Sequence, residues 1–418
     1  KQVDANGNYI GSYAGPEVEF GVRPSNDSVP GENYRGSGFH WLKNVEKDTN
    51  PSNMFSVNWN VKDTWDVYGR GTGADTDVNL RLTMLGDFSD VALADGIPPS
   101  NKPGNPASLR YLIAHRQGEN LDSLFLSVIE PYKGQRFVES ISPIALTVDG
   151  KEVSGNEVKA AKVVLNSGRV DYIVNAINPN LTYTVDGKFQ FKGFFGVYSE
   201  KNGEYVAAYV NNGELIGEEI SEVHSRLTGT VVDFTKEMSI ENEIKIQVNE
   251  VNFDADDLAG RYLYIDNDKV RNAAYRIRGV KAVEGNSITL DIGDLTPIRS
   301  WKNANDFSQG YVYDFAEGAG FVIPLSISKT LTMEFIDKLL EDYTFSGDVA
   351  GPLVPQLTNS LKQAEHHFQK GSIDQAAKHI QDFIKHLENK ALQNNITDRA
   401  KTALDKYANA LINVLEGK

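Results

Sequence analysis

The chain of 418 residues carries 57 Asp and Glu against 42 Lys and Arg, which gives a formal net charge of −15, and 40% of its residues are apolar. This composition excludes a disordered chain, and no apolar run is long enough to predict a membrane span. The acidic balance argues against nucleic acid as a partner, because phosphate binding needs a basic stripe. To bind an anionic ligand, the chain would need a local cluster of positively charged residues.

Cysteine is absent from the sequence. This excludes a disulfide framework, a cysteine-based zinc site and a thiolate nucleophile. The first residues, 1–8, include neither an initiator Met nor an apolar signal core, so we expect the chain to be a piece of a longer protein.

Up to about residue 330 the sequence predicts short antiparallel strands. Runs with period-two or β-branched character occupy residues 78–85, 108–114, 123–129, 169–174, 243–248 and 287–292. Four dipeptides that tolerate positive φ are typical of hairpin turns: Asp149-Gly150, Asp186-Gly187, Asn202-Gly203 and Asn212-Gly213. We therefore expect a mainly β fold of sandwich-like antiparallel sheets in two packed units, residues 1–140 and 141–330. The predicted strands do not alternate with long helices, which argues against a doubly wound sheet and against a TIM barrel.

From about residue 331 to 418 the pattern predicts an all-α helical bundle. All but four of the 36 glycines precede residue 331, and apolar residues then recur at three- and four-residue steps. Ser372 and Gln375 form a capping-box pattern, and Gly371 is typical of the end of the preceding helix. We expect the helices to bury their stripes against one another, so that deletion after Gly351 would leave the β region folded.

The usual signatures of catalysis or metal binding are weak. Adjacent His366 and His367 would point about 100° apart on a helix and could not share one metal. The glycine-rich residues 69–73 lack the Lys and the helix start of a phosphate loop. Two acidic loops are candidate binding sites for calcium or another divalent metal: Asp254-Asp256-Asp257 and Asp266-Asn267-Asp268. Neither loop follows the EF-hand pattern. Ordinary turns explain both loops better than a metal site does, so we assign no metal site and no cofactor.

Aromatic and cationic residues near the N-terminus suggest a sugar-binding site. Sugars stack on aromatic rings, and uronates or sulfates pair with Arg. Core packing also needs aromatic residues, so the pattern has a structural alternative. The candidate substrate-binding residues are His40, Trp41, Trp65, Tyr68, Arg70 and His115.

Several strings in order resemble the C-terminal β portion of heparinase II/III-like polysaccharide lyases. They span roughly residues 50–325 and include residues 78–86, 93–99, 109–118, 125–132, 168–173, 266–276 and 310–314. In the tail, residues 361–367 and 374–387 resemble the small helical FIMAH module found at the end of many secreted enzymes of Gram-positive bacteria. The two resemblances agree on a secreted protein that acts on carbohydrate.

The resemblance implies β-elimination next to a uronate in an anionic polysaccharide. In such lyases most catalytic groups lie on an N-terminal α/α-toroid, which we expect to be missing from this chain, and a His-bearing metal site opens the β region. No His-x-His run precedes residue 330, so we carry over no catalytic residue. One expectation is a C-terminal lyase part that supports the substrate cleft without being catalytic alone. The alternative is a non-catalytic carbohydrate-binding or cell-surface interaction protein.

Overall fold

The structure is a computed structural model that describes residues 1–21, 38–67, 69–98, 102–221, 225–249 and 255–416. The predicted residues Tyr68 and Asp254 and the side chain of Asp256 lie outside the described residues. The chain divides into two compact units. Unit 1 comprises Lys1–Pro143 and Ser154–Ser167, and unit 2 comprises Ile144–Val153 and Gly168–Lys418.

Strands dominate the described chain up to residue 330, and a helical region follows, as the sequence predicts. The strands are β1 (Leu42–Asp48), β2 (Met54–Asp63), β3 (Ala74–Leu85), β4 (Asp90–Gly96), β5 (Leu109–His115), β6 (Leu126–Lys133), β7 (Val138–Pro143), β8 (Leu146–Val148), β9 (Lys151–Glu152), β10 (Val158–Leu165), β11 (Arg169–Ala176), β12 (Tyr183–Val185), β13 (Phe189–Lys192), β14 (Phe195–Lys201), β15 (Glu204–Asn211), β16 (Leu215–Ile216), β17 (Ile220–Ser221), β18 (Arg226–Phe234), β19 (Asn242–Val248), β20 (Tyr262–Ile265), β21 (Ala273–Arg276), β22 (Gly279–Glu284), β23 (Ser287–Gly293), β24 (Ile298–Trp301), β25 (Tyr311–Tyr313), β26 (Gly320–Pro324) and β27 (Ser326–Thr330). The helices are α1 (Met333–Phe345), α2 (Leu353–Gln369), α3 (Ile373–Leu387) and α4 (Asp398–Leu415).

Unit 1 contains two three-stranded antiparallel sheets, of order β1-β4-β5 and β2-β3-β6, and the antiparallel pair β7–β10. Val45, Ala92 and Ala94 form a small buried cluster on the first sheet. The indole Nε1 of Trp59 donates a hydrogen bond of 2.9 Å to the backbone oxygen of Arg110, which links the two sheets.

One strand differs in position from its prediction. Residues 123–129 are predicted to form a strand, but β6 begins at Leu126 and runs through Pro131 to Lys133. Proline is tolerated there because β6 is an edge strand of its sheet, where the missing N–H removes no necessary hydrogen bond.

Unit 2 has a seven-stranded antiparallel sheet of order β21-β20-β26-β18-β19-β23-β22, beside which β24 and β25 pair as a short hairpin. Its fully buried core includes Ile244, Ile246, Leu263 and Ile288. Strands β27-β15-β14-β11 pair in a second sheet, and β17-β16-β13-β12-β8-β9 form a third. Strand side chains alternate between the two faces of these sheets, which explains the alternating burial along β19 and β23.

Three of the four predicted turn dipeptides close hairpins. In Asn202-Gly203, between β14 and β15, φ is 52° and 83°, as a two-residue turn with both residues in the left-handed region requires. The fourth dipeptide has another role. A Cβ atom on Gly213 would lie 2.3 Å from the Cα atom of Gly193, so this glycine permits two backbone segments to approach closely.

The four helices follow the predicted apolar stripes. Thr332 caps α1 by accepting a hydrogen bond of 3.1 Å from the backbone nitrogen of Phe335, and Gly371 ends α2 with a φ of 75°. The predicted capping box is wrong: Ser372 precedes α3 but its side chain makes no capping hydrogen bond, since its ψ of 72° departs from the usual cap conformation. None of the described helices is both long and apolar enough to cross a membrane.

Candidate functional site

A groove of about 750 Å³ opens on the β20–β26 side of unit 2. The turn after β20 contributes Asp266 and Asp268 to one wall, and β25 contributes Tyr311 and Tyr313 to the other. Lys236, which follows β18, also lines the groove. The groove therefore combines aromatic rings with charged groups of both signs.

An aromatic stack continues from the groove onto the adjoining hairpin. Trp301 and Tyr311 are directly opposite each other in the β24–β25 pair, and their ring centroids lie 4.5 Å apart. The ring of Phe307, from the loop between these strands, lies 4.4 Å from that of Trp301 and is 58% exposed. Exposed aromatic clusters of this kind are typical of binding surfaces rather than of cores.

A buried carboxylate holds the two walls in place. Asp314, directly after β25, is only 3% exposed. It accepts a hydrogen bond of 2.7 Å from the Tyr275 hydroxyl and one of 3.2 Å from Nε of Arg299, and it pairs with Arg271. Because Arg271 belongs to the turn after β20 and Arg299 to β24, this network fixes the turn against the hairpin.

Arg299 also binds Asp268 with two hydrogen bonds, of 2.8 and 3.0 Å, in the bidentate arrangement that favours Arg. These bonds lower the pKa of Asp268 to about 2. Burial, followed by the hydrogen bond to Asp314, raises the pKa of Tyr275 above its usual value. Asp268 therefore remains charged at neutral pH, while the Tyr275 phenol remains protonated.

Lys236 is neutralised in a similar way. Its ammonium pairs with Asp233 at 2.9 Å and with Glu317, and these contacts raise its pKa. The Tyr313 hydroxyl donates a hydrogen bond of 3.1 Å to the backbone oxygen of Lys236. Since the cations Lys236 and Arg299 have carboxylate partners, the groove offers hydrogen-bonding groups beside ring faces rather than a strong field of one sign.

The predicted acidic loop 266–268 does not have the form of a metal site. Both side-chain oxygens of Asp268 are engaged by Arg299, and Asn267 bonds within its own turn. No cluster of three or more His, Cys, Asp or Glu side chains suited to a metal ion occurs among the described residues.

The predicted N-terminal site residues are placed mainly at one end of unit 1. His40 and Trp41 belong to a short 3-10 turn, Phe39–Trp41, just before β1; His40 is buried, and Trp41 is exposed beside Phe20. Trp65 and Arg70 lie in the loop between β2 and β3, and Trp65 is 58% exposed. Trp41 and Trp65 are therefore exposed, whereas the ring of His40 is buried.

His115 lies at the opposite end of the same sheet. Its Nδ1 is 2.9 Å from Oδ2 of Asp90, which also pairs with Lys47 at 3.0 Å. The register places Asp90 opposite His115 and Gly96 opposite Leu42, so the length of β4, about 20 Å, separates His115 from Trp41. These residues do not form one site, and their substrate-binding role stays a prediction.

Sequence reasoning did not select the aromatic groove. Five aromatic residues occur within residues 301–315, which is a signal that could have been found. The pairing of Trp301 with Tyr311, and the convergence of Arg271 and Arg299 on Asp314, depend on the folded arrangement.

The tail is a compact set of antiparallel helices whose stripes pack together. The buried residues of three helices include Leu357 of α2, Phe383 of α3 and Leu404 of α4. Residues 333–413 match the family model of the FIMAH domain. No curated protein matches the chain.

The FIMAH domain also packs on the β-sheets of unit 2. The Tyr407 ring of α4 lies 5.8 Å from that of Tyr205 on β15 and 5.0 Å from that of Phe335 on α1, both edge to face. Beside them the Glu219 side chain is only 1% exposed, and its Oε1 lies 3.6 Å from Nζ of Lys406. Burial and the charge of Glu219 raise the pKa of Tyr407. The FIMAH domain and the sheet it contacts therefore share a buried aromatic interface.

Proposed function

We propose that this chain binds polysaccharide through the aromatic groove of unit 2. The observation that carries the proposal is the exposed stack of Phe307, Trp301 and Tyr311, which leads into a groove lined by polar groups. A sugar ring has apolar C–H faces and a rim of hydroxyls, so it is complementary to aromatic rings with nearby hydrogen-bonding side chains.

The polar groups around the stack suit hydroxyl recognition. Carboxylate oxygens of Asp266 accept hydrogen bonds from hydroxyls, whereas the ammonium group of Lys302 donates them, and both residues line the groove. The Asp314 network holds the walls in a fixed geometry, which reduces the ordering cost of binding.

We further propose that the chain is the C-terminal, non-catalytic part of a secreted polysaccharide lyase. The ordered strings that resemble heparinase II/III-like lyases support this, and the FIMAH domain is compatible with secretion. In this proposal the β-elimination is carried out on an α/α-toroid outside this chain, and the β scaffold supports the cleft for a uronate-containing polysaccharide. Taken without the sequence resemblance, the groove favours the alternative, which is a carbohydrate-binding protein without any lyase partner.

Affinity electrophoresis with a uronate polysaccharide and with a neutral polysaccharide tests the binding. We expect Trp301→Ala to weaken binding about tenfold, the equivalent of the loss of one good aromatic contact. Phe345→Ala is a matched control, because Phe345 is 96% exposed on α1, outside the groove. Trp65→Ala tests the predicted N-terminal surface separately. Unchanged affinity in Trp301→Ala, with the fold intact, would reject the groove as the binding site.

The lyase proposal needs a second assay. The chain is incubated with uronate polysaccharides, alone and together with a toroid region, and the absorbance of the unsaturated product is followed. Elimination that requires the toroid supports the lyase proposal. Glycan binding without elimination under either condition supports the alternative.

A further inference from the structure

Unit 1 contains a pair of neighbouring cations, Arg116 and Lys159. Arg116 directly follows β5, and its Nη1 donates to three acceptors: the backbone oxygen of Asp122 at 2.9 Å, Oγ of Ser123 at 3.2 Å and Oδ1 of Asn156 at 3.1 Å. These bonds hold one edge of the guanidinium. Its Nε and Nη2 make no hydrogen bond within the described part of the chain, so the other edge is available.

Lys159, on β10, lies close enough to this guanidinium for the two charges to interact. The Asn156 that orients Arg116 precedes Lys159 by three residues. Nζ of Lys159 lies in a crevice left by two glycines, because a Cβ atom on Gly155 would be 3.3 Å from it and one on Gly86 would be 3.7 Å away. The lysine side chain is thus placed by the backbone around it rather than extended into solvent.

The electrostatics of the pair are unusual for this chain. Burial lowers the pKa of Lys159, the charge of Asp87 opposes that effect, and the nearby Arg116 adds to the lowering. Neither Lys159 nor Arg116 lies within 4 Å of a carboxylate oxygen among the residues that the structure describes. By contrast, Arg110 in the same unit pairs with both Glu46 and Asp95.

The acidic neighbours do not neutralise the pair by direct contact. Asp87 is exposed and acts only at longer range, while Asp122 contributes its backbone oxygen. Asp90, which begins β4 three residues after Asp87, is already bound by Lys47 and His115. Two neighbouring cations that no described carboxylate contacts are costly in a partly desolvated position, and an oxyanion would relieve that cost.

We propose that Arg116 and Lys159 form a binding site for an anionic group, a carboxylate or a sulfate, carried by a saccharide. The free guanidinium edge can bind two oxygens of such a group side by side, and the ammonium adds a point charge. This site is separate from the aromatic groove and belongs to the other unit. It supplies the local positive charge that an anionic ligand needs on a chain of net charge −15.

Calorimetric titration with inorganic sulfate, sodium glucuronate and glucose tests the site. We expect saturable binding of both anions and none of glucose. Arg116→Gln and Lys159→Gln should each weaken sulfate binding about tenfold, since each removes a charge-assisted contact. Lys133→Gln removes the same charge from an exposed position of β6 and should leave binding unchanged. Lys159→Arg, which keeps the charge, should retain most of the affinity and controls for loss of folding.

Two outcomes would overturn the proposal: no saturable binding of either anion, or an equal loss of affinity in Lys133→Gln. A glucuronate oligosaccharide should bind more tightly than free glucuronate. Equal affinity would show a site for free anions and would overturn the saccharide assignment. Trp301→Ala should not change sulfate binding, so failure of the aromatic groove can be distinguished from failure of this site.

Discussion

Replacement of Tyr407 by Ala tests whether the FIMAH domain is an integral part of unit 2. Tyr407 is buried between Tyr205 of β15 and Phe335 of α1, although the sequence suggests that the helices bury their stripes only against one another. If this ring joins helix and sheet, its removal should destabilise both.

The size of the effect follows from the burial of the ring. A buried aromatic side chain removes about 150–250 Å² of surface from water, which corresponds to about 4–6 kcal/mol at 25 cal/mol per Å². Alanine retains the Cβ atom, so we expect a loss of about 3–5 kcal/mol, within the range of aromatic-to-alanine changes in cores. In a unit of this size the melting temperature should fall by about 6–20 °C. Tyr407→Phe should cost less than about 1 kcal/mol, because the hydroxyl lies a long 3.5 Å from Glu219.

Thermal unfolding can be followed by helical circular dichroism and by the fluorescence of Trp301, which is the one tryptophan of unit 2. The tryptophans of unit 1 are replaced by Phe for this purpose. In the parent both signals should change together, whereas in Tyr407→Ala the helical signal should be lost first. Phe345→Ala removes a fully exposed aromatic residue of α1 and should shift the transition by less than about 2 °C. Equal shifts in Tyr407→Ala and Phe345→Ala would refute the integral interface.

Three further changes test the network and a turn. Asp314→Ala should destabilise unit 2 by about 3–5 kcal/mol in urea unfolding, because it leaves the buried Tyr275 hydroxyl and the partly buried Arg299 without their acceptor; a loss below 1 kcal/mol would contradict this role. Gly203→Ala should cost about 1 kcal/mol because of its φ of 83°, whereas Gly279→Ala, also in open space but without positive φ, should cost less; equal losses would exclude backbone strain as the cause. The stabilisation from Asp268 should be present above pH 4 and lost as pH falls from about 4 to about 2, since Arg299 lowers its folded-state pKa. Asp268→Asn should therefore flatten the stability profile over that range, and an unchanged slope would argue against the pair.

Local patterns in the sequence were sufficient to predict the fold class, the helices and several of the strands. The helical stripes recur every three or four residues, and dipeptides such as Asn202-Gly203 specify their own backbone conformation. The shifted boundary of β6 shows the limit of such patterns, because whether Pro131 fits a strand depends on the strand being at a sheet edge.

Contacts between distant segments could not be predicted in this way. Tyr407 lies on the apolar stripe of α4, and its position in the sequence fits burial inside the helical bundle alone. In the structure, however, its hydroxyl faces Glu219, which lies 188 residues earlier. The candidate groove is similar: Asp314 and Arg271 are 43 residues apart, and neither has a distinctive local motif. The predicted Trp41 and His115 have the right chemistry for sugars, but strand register places them at opposite ends of a sheet.

The net charge of −15 imposes different conditions on the two proposed sites. In the groove, Arg299 and Lys236 already have carboxylate partners, and the charge of Asp266 opposes that of Lys302, so a bound anion would gain less there and the ring faces should dominate binding. Among the residues that the structure describes, no carboxylate oxygen contacts Arg116 or Lys159, so an anion bound there should gain more, and added salt should screen the interaction. Affinity for an anionic polysaccharide should therefore fall as ionic strength rises, and the double variant Arg116→Gln, Lys159→Gln should bind more weakly but with much less salt dependence. The measurement is the dissociation constant at several salt concentrations. A double variant that keeps the salt dependence of the parent would show that the anionic groups are bound elsewhere.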